Sequence, residues 1–220
     1  MVNVVAHVVE PKVYEEIYET TPRRKIGILG GTFNPPHLGH LIIADQVRNQ
    51  LGLEKVLFIP SANPPHKTKK KTIDAEHRMA MIRDSIDSDD GFILDDTEIK
   101  RGGKSYTFDT IVQLREKHPD VEFYFIIGAD MVEDLENWHK IDELVNMVQF
   151  VAVNRPEYSL KTSYPVIFVD VPNIDISSSV IRQKVRDDCS IRYLVPLEVE
   201  KYIEREGLYK NEENSDDISE

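Results

Sequence analysis

The sequence predicts an α/β fold in which helices cover both faces of a doubly wound, mostly parallel sheet. Two observations favour this class. The chain contains short apolar runs typical of buried strands. Between these runs lie longer segments whose apolar residues recur three and four positions apart, as on one face of a helix. Such alternation favours parallel strands joined by right-handed crossovers. Because parallel sheets bind ligands beyond the carboxyl ends of their strands, we expect the functional residues in the loops that follow strands.

Each element follows from a local pattern. Lys25–Leu29 is a short apolar run and the first predicted strand, and Leu38–Leu51 has helical apolar spacing. Asp74 is a suitable N-cap for a second helix that ends at Ile86. The other predicted elements are strands at Lys55–Pro60, Phe92–Leu94, Glu122–Ile127, Phe150–Val153 and Val166–Val169, helices at about 107–117, Ser178–Arg186 and Leu197–Glu206, and two short helical segments after Ile127.

The chain length predicts a single domain. The 220 residues are enough to bury a substantial core, and the pattern assigns residues 25–210 to one α/β domain. Residues 1–24 form an N-terminal extension without a motif. Residues 211–220 form a polar, acidic tail that we expect to be disordered.

The composition excludes several classes of partner. A formal net charge of −12 argues against long nucleic acid, because acidic surfaces repel phosphate backbones. No segment reaches the roughly 20 apolar residues that span a membrane. The single cysteine, Cys189, can form no intrachain disulfide, which favours a cytoplasmic enzyme. A monomer and a homodimer both stay open.

The strongest motif, GGTFNPPHLGH at residues 30–40, directly follows the first strand. Gly30 and Gly31 let the backbone turn sharply and approach a ligand closely. His37 and His40 lie three residues apart at a helix start, where free N–H groups and the helix dipole favour anions. Their imidazoles add directional donors for phosphoryl oxygens, cationic if their pKa values are raised.

Other readings of this motif fit less well. It has neither the G-K-[ST] ending of a Walker loop nor the G-x-G-x-x-G pattern of a dinucleotide fingerprint. A metal pair formed by His37 and His40 would lack a nearby carboxylate.

The motif resembles the H-x-G-H signature of the nucleotidyltransferase superfamily, and more specifically that of bacterial nicotinate-nucleotide adenylyltransferases. The resemblance extends over residues 25–210. It implies a Rossmann-like enzyme of NAD biosynthesis that transfers the AMP part of ATP to nicotinate mononucleotide, giving nicotinate adenine dinucleotide and pyrophosphate. It also implies Mg²⁺ held through the phosphates of ATP and not by a metal site of the protein.

Further segments match the family in order along the chain. The loop Ser61–Lys67 follows the second strand and places Lys67 at its end, while Lys69–Lys71 read as a solvated basic run. The segment Ser105–Thr110 opens a helix whose free N–H groups suit a carboxylate, although a plain Ser/Thr N-cap explains it equally well. The resemblance implies that this helix start holds the nicotinate carboxylate.

Three more positions take their roles from the resemblance. Gly128 and Asp130 match a G-x-D loop that contacts the ribose of the adenosine, and Trp138 matches an aromatic residue that stacks on the pyridine ring. The segment Ile176–Arg182 matches I-S-S-T-x-I-R, with Ser179 in place of the usual threonine. Serine hydroxyls and helix N–H groups would form a cradle for the β and γ phosphates.

The resemblance therefore assigns three groups of residues. The expected catalytic residues are His37, His40, Lys67 and Arg182. The expected ATP-binding residues are Gly30, Gly31, Thr32, Phe33, His40, Gly128, Asp130, Ile176, Ser177, Ser178, Ser179 and Arg182. The expected mononucleotide-binding residues are Asn34, His37, Lys67, Ser105, Tyr106, Thr107, Trp138 and Arg155.

Two alternatives stay open at this point. A related adenylyl- or cytidylyltransferase with a phosphopantetheine-type acceptor would share the H-x-G-H motif and the serine-rich helix. A nucleotide sensor without catalysis would share the fold, although His37, His40 and Arg182 argue for catalysis. The sequence does not decide between nicotinate and nicotinamide mononucleotide, because the choice depends on donors placed in three dimensions.

Overall fold

A computed structural model describes residues 23–63, 72–154 and 162–210. Its sheet has six parallel strands in the order β3-β2-β1-β4-β5-β6. The strands are β1 (Arg24–Gly31), β2 (Lys55–Pro60), β3 (Phe92–Leu94), β4 (Val121–Gly128), β5 (Gln149–Asn154) and β6 (Val166–Asp170). The helices are α1 (Leu38–Leu51), α2 (Ala75–Ile86), α3 (Thr97–Arg101), α4 (Thr107–Lys117), α5 (Ile141–Leu144), α6 (Ser178–Arg186) and α7 (Leu197–Glu206). Two 3-10 turns, Ala129–Met131 and Leu135–Asn137, follow β4.

The strand order places a topological switch point between β1 and β4. The chain builds one half of the sheet outward from β1 to β3, then returns to the other side of β1 with β4. Ile28 of β1 accordingly pairs with Leu57 of β2 on one side and with Phe125 of β4 on the other. The loops after β1 and β4 leave the sheet in opposite directions, which opens a crevice at the carboxyl edge.

Two apolar layers cover the sheet, because successive side chains of a strand point to opposite faces. Ile28, Phe123 and Phe125 pack against α4 and α5 on one face. Leu29 and Ile126 pack against α1 and α2 on the other. Both faces of β1 and β4 are therefore buried, as expected for the central strands of a parallel sheet.

A third apolar cluster attaches the last two helices to α2. Met81, Ile181, Val199 and Ile203 are its fully buried members, and Tyr209 closes it beyond the end of α7. This cluster brings the end of the described chain next to the loop after β1, although the two are about 175 residues apart in sequence.

The fold class is confirmed, and most elements lie where the sequence predicts them. Helices α1, α6 and α7 have the predicted bounds, whereas β1, β4, β5 and β6 extend one or two residues further at one or both ends. Helix α3 is not predicted by the sequence. No helix within the described ranges is both long and apolar enough to cross a membrane. The predicted extension and tail lie almost wholly outside the described residues.

Candidate active site

Two adjoining cavities lie at the carboxyl edge of the sheet, beside the switch point. The first, here called the aromatic cavity, has a volume of about 390 Å³ and reaches from the ends of β1 and β4 to Tyr106, Trp138 and His139. The second, here called the serine cavity, has a volume of about 400 Å³ and is bordered by Ser177–Ser179. The walls of both cavities share Gly31, Thr32, His40, Ile43 and Ile174. The site is thus a pair of adjoining cavities, and His40 lies where they meet.

The β1–α1 loop, residues 32–37, borders both cavities at Thr32 and the serine cavity at Phe33, Asn34 and His37. Its Phe33 has a left-handed backbone (φ 50) that costs a non-glycine residue about 1–2 kcal/mol. Burial of its ring offsets this cost, since the ring packs 5.8 Å from that of Phe58 and 4.9 Å from that of His40. A side chain at Gly31 would press on the Phe33 ring at 3.3 Å, so glycine lets the ring fold back beneath the loop.

Side chains from distant elements hold this loop from behind. Arg182 Nη1 donates to the carbonyl of Asn34 at 2.7 Å, and Ser178 Oγ donates to the carbonyl of Pro35 at 2.8 Å. Tyr209 Oη donates to Asn34 Oδ1 at 2.9 Å. Asn34 and Arg182 are both buried, so these hydrogen bonds are shielded from water. The loop is thereby fixed against α6 and the segment after α7.

The two histidines of the motif lie in direct contact at the start of α1. Their ring centroids are 3.6 Å apart, and the backbone N–H of His37 donates to His40 Nδ1 at 3.1 Å. Since Nδ1 of His40 accepts a hydrogen bond, the neutral ring carries its proton on Nε2. Gly39 makes room for the pair, because a side chain there would come within 3.0 Å of His37 Nδ1.

Both imidazoles are neutral at neutral pH, because their pKa values are lowered. Burial lowers the pKa of His37 to about 4. Burial, together with the neighbouring His37, lowers the pKa of His40 well below its usual 6.5. The sequence analysis expects cationic histidines only if their pKa values are raised. Both pKa values are lowered instead, so the rings act as neutral groups. The rings can still donate N–H hydrogen bonds to an anion.

The far end of the aromatic cavity is built from the start of α4 and the turn before α5. Ser105 Oγ accepts from the backbone N–H of Ala62 at 2.9 Å, which ties this helix start to the loop after β2. The Tyr106 ring lies 4.5 Å from that of His139. Trp138 is buried and meets the rings of Phe125 and Phe150 edge-on. One polar helix start thus faces a group of aromatic rings.

The structure brings most of the predicted site residues together. Those that line a cavity are Gly30, Gly31, Thr32, Phe33, Asn34, His37, His40, Ser105, Tyr106, Thr107, Gly128, Trp138, Ile176, Ser177, Ser178, Ser179 and Arg182. Asp130 is exposed and lines neither cavity, although a side chain at Gly128 would collide with its carboxylate. Lys67 and Arg155 lie outside the described residues.

Two titratable residues that line the aromatic cavity are absent from the sequence-based assignment. Glu98 of α3 is buried and accepts a hydrogen bond from Thr110 Oγ1 at 2.7 Å, and burial raises its pKa. His139 is exposed beside Trp138. The position of His139 directly after Trp138 is a signal that could have identified it, whereas nothing in the sequence around Glu98 predicts that Glu98 is buried.

The fold and the site define a class of nucleotide-binding protein. A sheet in the order 3-2-1-4-5-6 with its cavities at the switch point is the doubly wound arrangement that binds mononucleotides in two halves. The family model described as cytidylyltransferase-like matches residues 28–184. The chain is thus of the nucleotidyltransferase class.

Comparison with known proteins narrows the class to one family. The chain is 54% identical over 196 residues to a "probable nicotinate-nucleotide adenylyltransferase" of Streptococcus pyogenes serotype M1, covering 89% of this chain and 93% of that one. It is 51% identical over 198 residues to a protein of the same name from Enterococcus faecalis, covering 90% of each chain. The chain belongs to the nicotinate-nucleotide adenylyltransferase family.

The fold also matches solved structures. A Plasmodium falciparum nicotinic acid mononucleotide adenylyltransferase superposes with a TM-score of 0.72, covering 85% of this chain and 98% of that one. The sequence identity is 22%, so this likeness concerns the fold.

Proposed function

We propose that this protein joins the AMP part of ATP to nicotinate mononucleotide, releasing pyrophosphate and giving nicotinate adenine dinucleotide for NAD biosynthesis. One observation carries the proposal: His40 lies at the junction of two cavities, one bordered by aromatic rings and the other by a serine-rich helix start. Two phosphate-bearing substrates bound in these cavities would meet beside the same imidazole. The naming of the relatives favours nicotinate mononucleotide over a phosphopantetheine-type acceptor.

The aromatic cavity would take the mononucleotide. Trp138 and Tyr106 supply aromatic faces for a pyridine ring, and such stacking contributes about 0.5–1.5 kcal/mol beyond burial. The start of α4 at Thr107 supplies backbone N–H groups for the nicotinate carboxylate. Ser105 already accepts hydrogen bonds from the loop after β2, so its main contribution would be to hold this helix start in place.

The serine cavity would take the triphosphate of ATP. It is bordered by the N-terminus of α6, where Ser177 caps the helix by accepting from the N–H of Val180. Free N–H groups, hydroxyls and the helix dipole at this end favour phosphate oxygens. Gly30 to Phe33 would contact the α-phosphate, while Gly128 and Asp130 would contact the adenosine ribose.

The reaction would be a direct transfer. An oxygen of the mononucleotide phosphate attacks the α-phosphorus of ATP in line, a new P–O bond forms, and the bond from the α-phosphorus to the oxygen bridging to the β-phosphorus breaks. Pyrophosphate leaves with that electron pair. The nucleophile is already an anion, so the step requires no general base, and catalysis rests on positioning and charge stabilisation.

The histidines would act as neutral donors. His40, protonated on Nε2, would donate to the α-phosphoryl oxygens as their charge develops, and His37 would contact the mononucleotide phosphate. Arg182, Lys67 and Arg155 would offset the remaining phosphate charge. Arg182 would act partly by positioning Asn34, because its guanidinium donates a hydrogen bond to the Asn34 carbonyl.

Magnesium would enter with the nucleotide. The polar side chains that border the serine cavity are hydroxyl, amide, imidazole and guanidinium groups, and no carboxylate occurs among its described lining residues. Such a set suits Mg²⁺ held by phosphate oxygens and water, as this ion prefers. When bound, the ion would neutralise phosphate charge and aid the departure of pyrophosphate.

The composition supports a proposal about the location and the partners of the enzyme. An acidic chain with one cysteine fits a cytoplasmic enzyme that acts on small nucleotides and not on long nucleic acid. A homodimer is the assembly to test, by light scattering coupled to size-exclusion chromatography.

The central test measures pyrophosphate release and the dinucleotide product. We expect turnover with MgATP and nicotinate mononucleotide, none when either substrate is omitted, and recovery of activity when excess Mg²⁺ follows a chelator. Nicotinamide mononucleotide and phosphopantetheine serve as competing acceptors, compared by kcat/KM. Binding of both nucleotides without any pyrophosphate would instead identify a sensor and refute the proposal.

A further inference from the structure

A buried guanidinium that is not among the predicted site residues donates a hydrogen bond to the β1–α1 loop. Arg78 of α2 is 2% exposed. Its Nη1 donates to the carbonyl of Thr32 at 2.9 Å and to that of Ser61 at 2.9 Å, and its Nε donates to the carbonyl of Ile73 at 3.3 Å. One side chain thus joins the loop after β1, the end of β2 and the segment before α2.

All three carbonyls belong to the walls of the site or adjoin them. Thr32 lines both cavities, and Ser61 lines the aromatic cavity. Ile73 follows Thr72, which lines the serine cavity. Ser61 also donates through its backbone N–H to the carbonyl of Gly31 at 2.8 Å, so the contact continues into β1. Displacing Arg78 would therefore move the surfaces on which both substrates are proposed to bind.

No carboxylate of the described residues forms an ion pair with Arg78, and the carboxylate of Asp74, four residues earlier, attracts its charge only from a longer distance. The side-chain hydrogen bonds of Arg78 to described residues all go to neutral carbonyls. Burial lowers the pKa of this guanidinium, yet arginine stays protonated in proteins. A buried cation without a directly paired carboxylate costs free energy, which carbonyl dipoles and the more distant Asp74 offset only in part. An anion bound in the adjoining cavities would supply further negative charge.

We propose that Arg78 is a positioning residue for the triphosphate: it fixes the β1–α1 loop against β2, and its buried charge strengthens polyphosphate binding from behind the loop. This inference rests on the proposed function for the identity of the ligand. If Arg78 were only a structural residue, it would stabilise the fold without affecting anion affinity. The experiment separates this structural role from the positioning role.

The experiment compares three variants. Arg78→Met removes the charge and the hydrogen bonds, Arg78→Lys keeps the charge but not the forked geometry, and Arg48→Met serves as the matched control. Arg48 is a partly buried guanidinium of α1 that pairs with Asp89 beside the start of β3, at the opposite edge of the sheet. Thermal unfolding, kcat, KM for MgATP and calorimetric binding of inorganic tripolyphosphate are measured for each.

We expect Arg78→Met to raise KM for MgATP and the Kd of tripolyphosphate by about tenfold or more, the size of one screened charge interaction at short range. Arg78→Lys should recover part of both losses. Arg48→Met should lower the unfolding temperature and leave both constants unchanged.

The inference is overturned if folded Arg78→Met changes only the unfolding temperature, or if Arg78→Lys and Arg78→Met weaken binding equally. If Arg78→Met does not fold, Arg78→Gln replaces it, because glutamine keeps a hydrogen-bond donor but not the charge, and unchanged tripolyphosphate binding by folded Arg78→Gln overturns the inference as well. Failure of the wild-type protein to form a dinucleotide would refute the proposed function alone, because tripolyphosphate binding tests Arg78 without turnover.

Discussion

Tyr209, which follows α7, donates a 2.9 Å hydrogen bond to the side-chain oxygen of Asn34 in the β1–α1 loop. Tyr209 is fully buried, and burial raises the pKa of its hydroxyl, which therefore remains a donor at neutral pH. Together with Arg182, which donates to the carbonyl of the same asparagine, it links the end of the domain to the loop that borders the serine cavity.

Replacing this tyrosine tests the link. Tyr209→Phe leaves a buried amide oxygen without its donor, so we expect the free energy of unfolding to fall by about 1–3 kcal/mol. KM for MgATP should rise, because the loop loses an anchor. Tyr202→Phe is the control, since it removes a 2.9 Å hydrogen bond to His77 away from the cavities. Chemical denaturation and steady-state kinetics measure both; equal KM values for the two variants would contradict the link.

The junction histidine should control turnover more than binding. His40→Ala removes the donor proposed for the α-phosphoryl oxygens, so kcat should fall by about 10²-fold or more while KM for MgATP changes little. His37→Ala should act in the same direction. His118→Ala, an exposed histidine at the end of α4, is the control and should retain full activity. Near-normal kcat in His40→Ala would refute the assignment.

Replacing Gly39, which lies between the two histidines, by alanine should affect stability and catalysis in opposite directions. Alanine suits a helix better than glycine by about 0.5–1 kcal/mol, so Gly39→Ala should not lower the unfolding temperature. Its methyl group would meet His37 Nδ1 at 3.0 Å and displace that ring, so kcat should fall. Gly52→Ala, in left-handed backbone at the other end of α1, should do the reverse and lower stability only. A fully active Gly39→Ala variant would show that the ring position is not critical.

The sequence predicts the local parts of this site well. The bounds of α1 follow from prolines before it and a glycine after it, and those residues act within a few positions of the helix. The two histidines and the serine-rich start of α6 likewise sit at element boundaries that short-range patterns define. Their meeting at one edge follows from the parallel topology.

The contacts that hold the site from distant parts of the chain are harder to predict from the sequence. Helix α3 has five residues and too few apolar positions to show a period, so the burial of Glu98 is not visible in the sequence. Arg78 shares the helical spacing of Met81 and Ile82 and could have been placed on the buried face, but its three carbonyl partners depend on tertiary contacts. The same holds for Tyr209, whose partner is 175 residues away.

Acid should destabilise the protein through the buried histidine. The pKa of His37 is about 4 in the fold and about 6.5 in an unfolded chain, so the unfolded state binds a proton more readily. Its contribution to stability is complete above about pH 6.5, decreases as the pH falls, and is lost below about pH 4. Between pH 7 and pH 5 this amounts to about 1–2 kcal/mol.

Two measurements check this expectation. Denaturation at pH 7 and pH 5 should show a smaller pH dependence for His37→Asn than for the wild type. The ring of His37 should titrate near pH 4 by NMR in the folded protein. A His37 midpoint near pH 6.5 would contradict the burial argument.

The single tryptophan offers a direct test of the acceptor site. Trp138 lines the aromatic cavity, so nicotinate mononucleotide stacked on the indole should quench its fluorescence, and Trp138→Leu should raise KM for the mononucleotide by about 2- to 10-fold. Phe150→Leu is the matched control, because Phe150 packs against Trp138 in the same core without lining the cavity. Both variants should lose stability, and only the first should lose mononucleotide affinity. If both raise KM equally, the effect comes from general loosening of the core and Trp138 does not contact the pyridine ring.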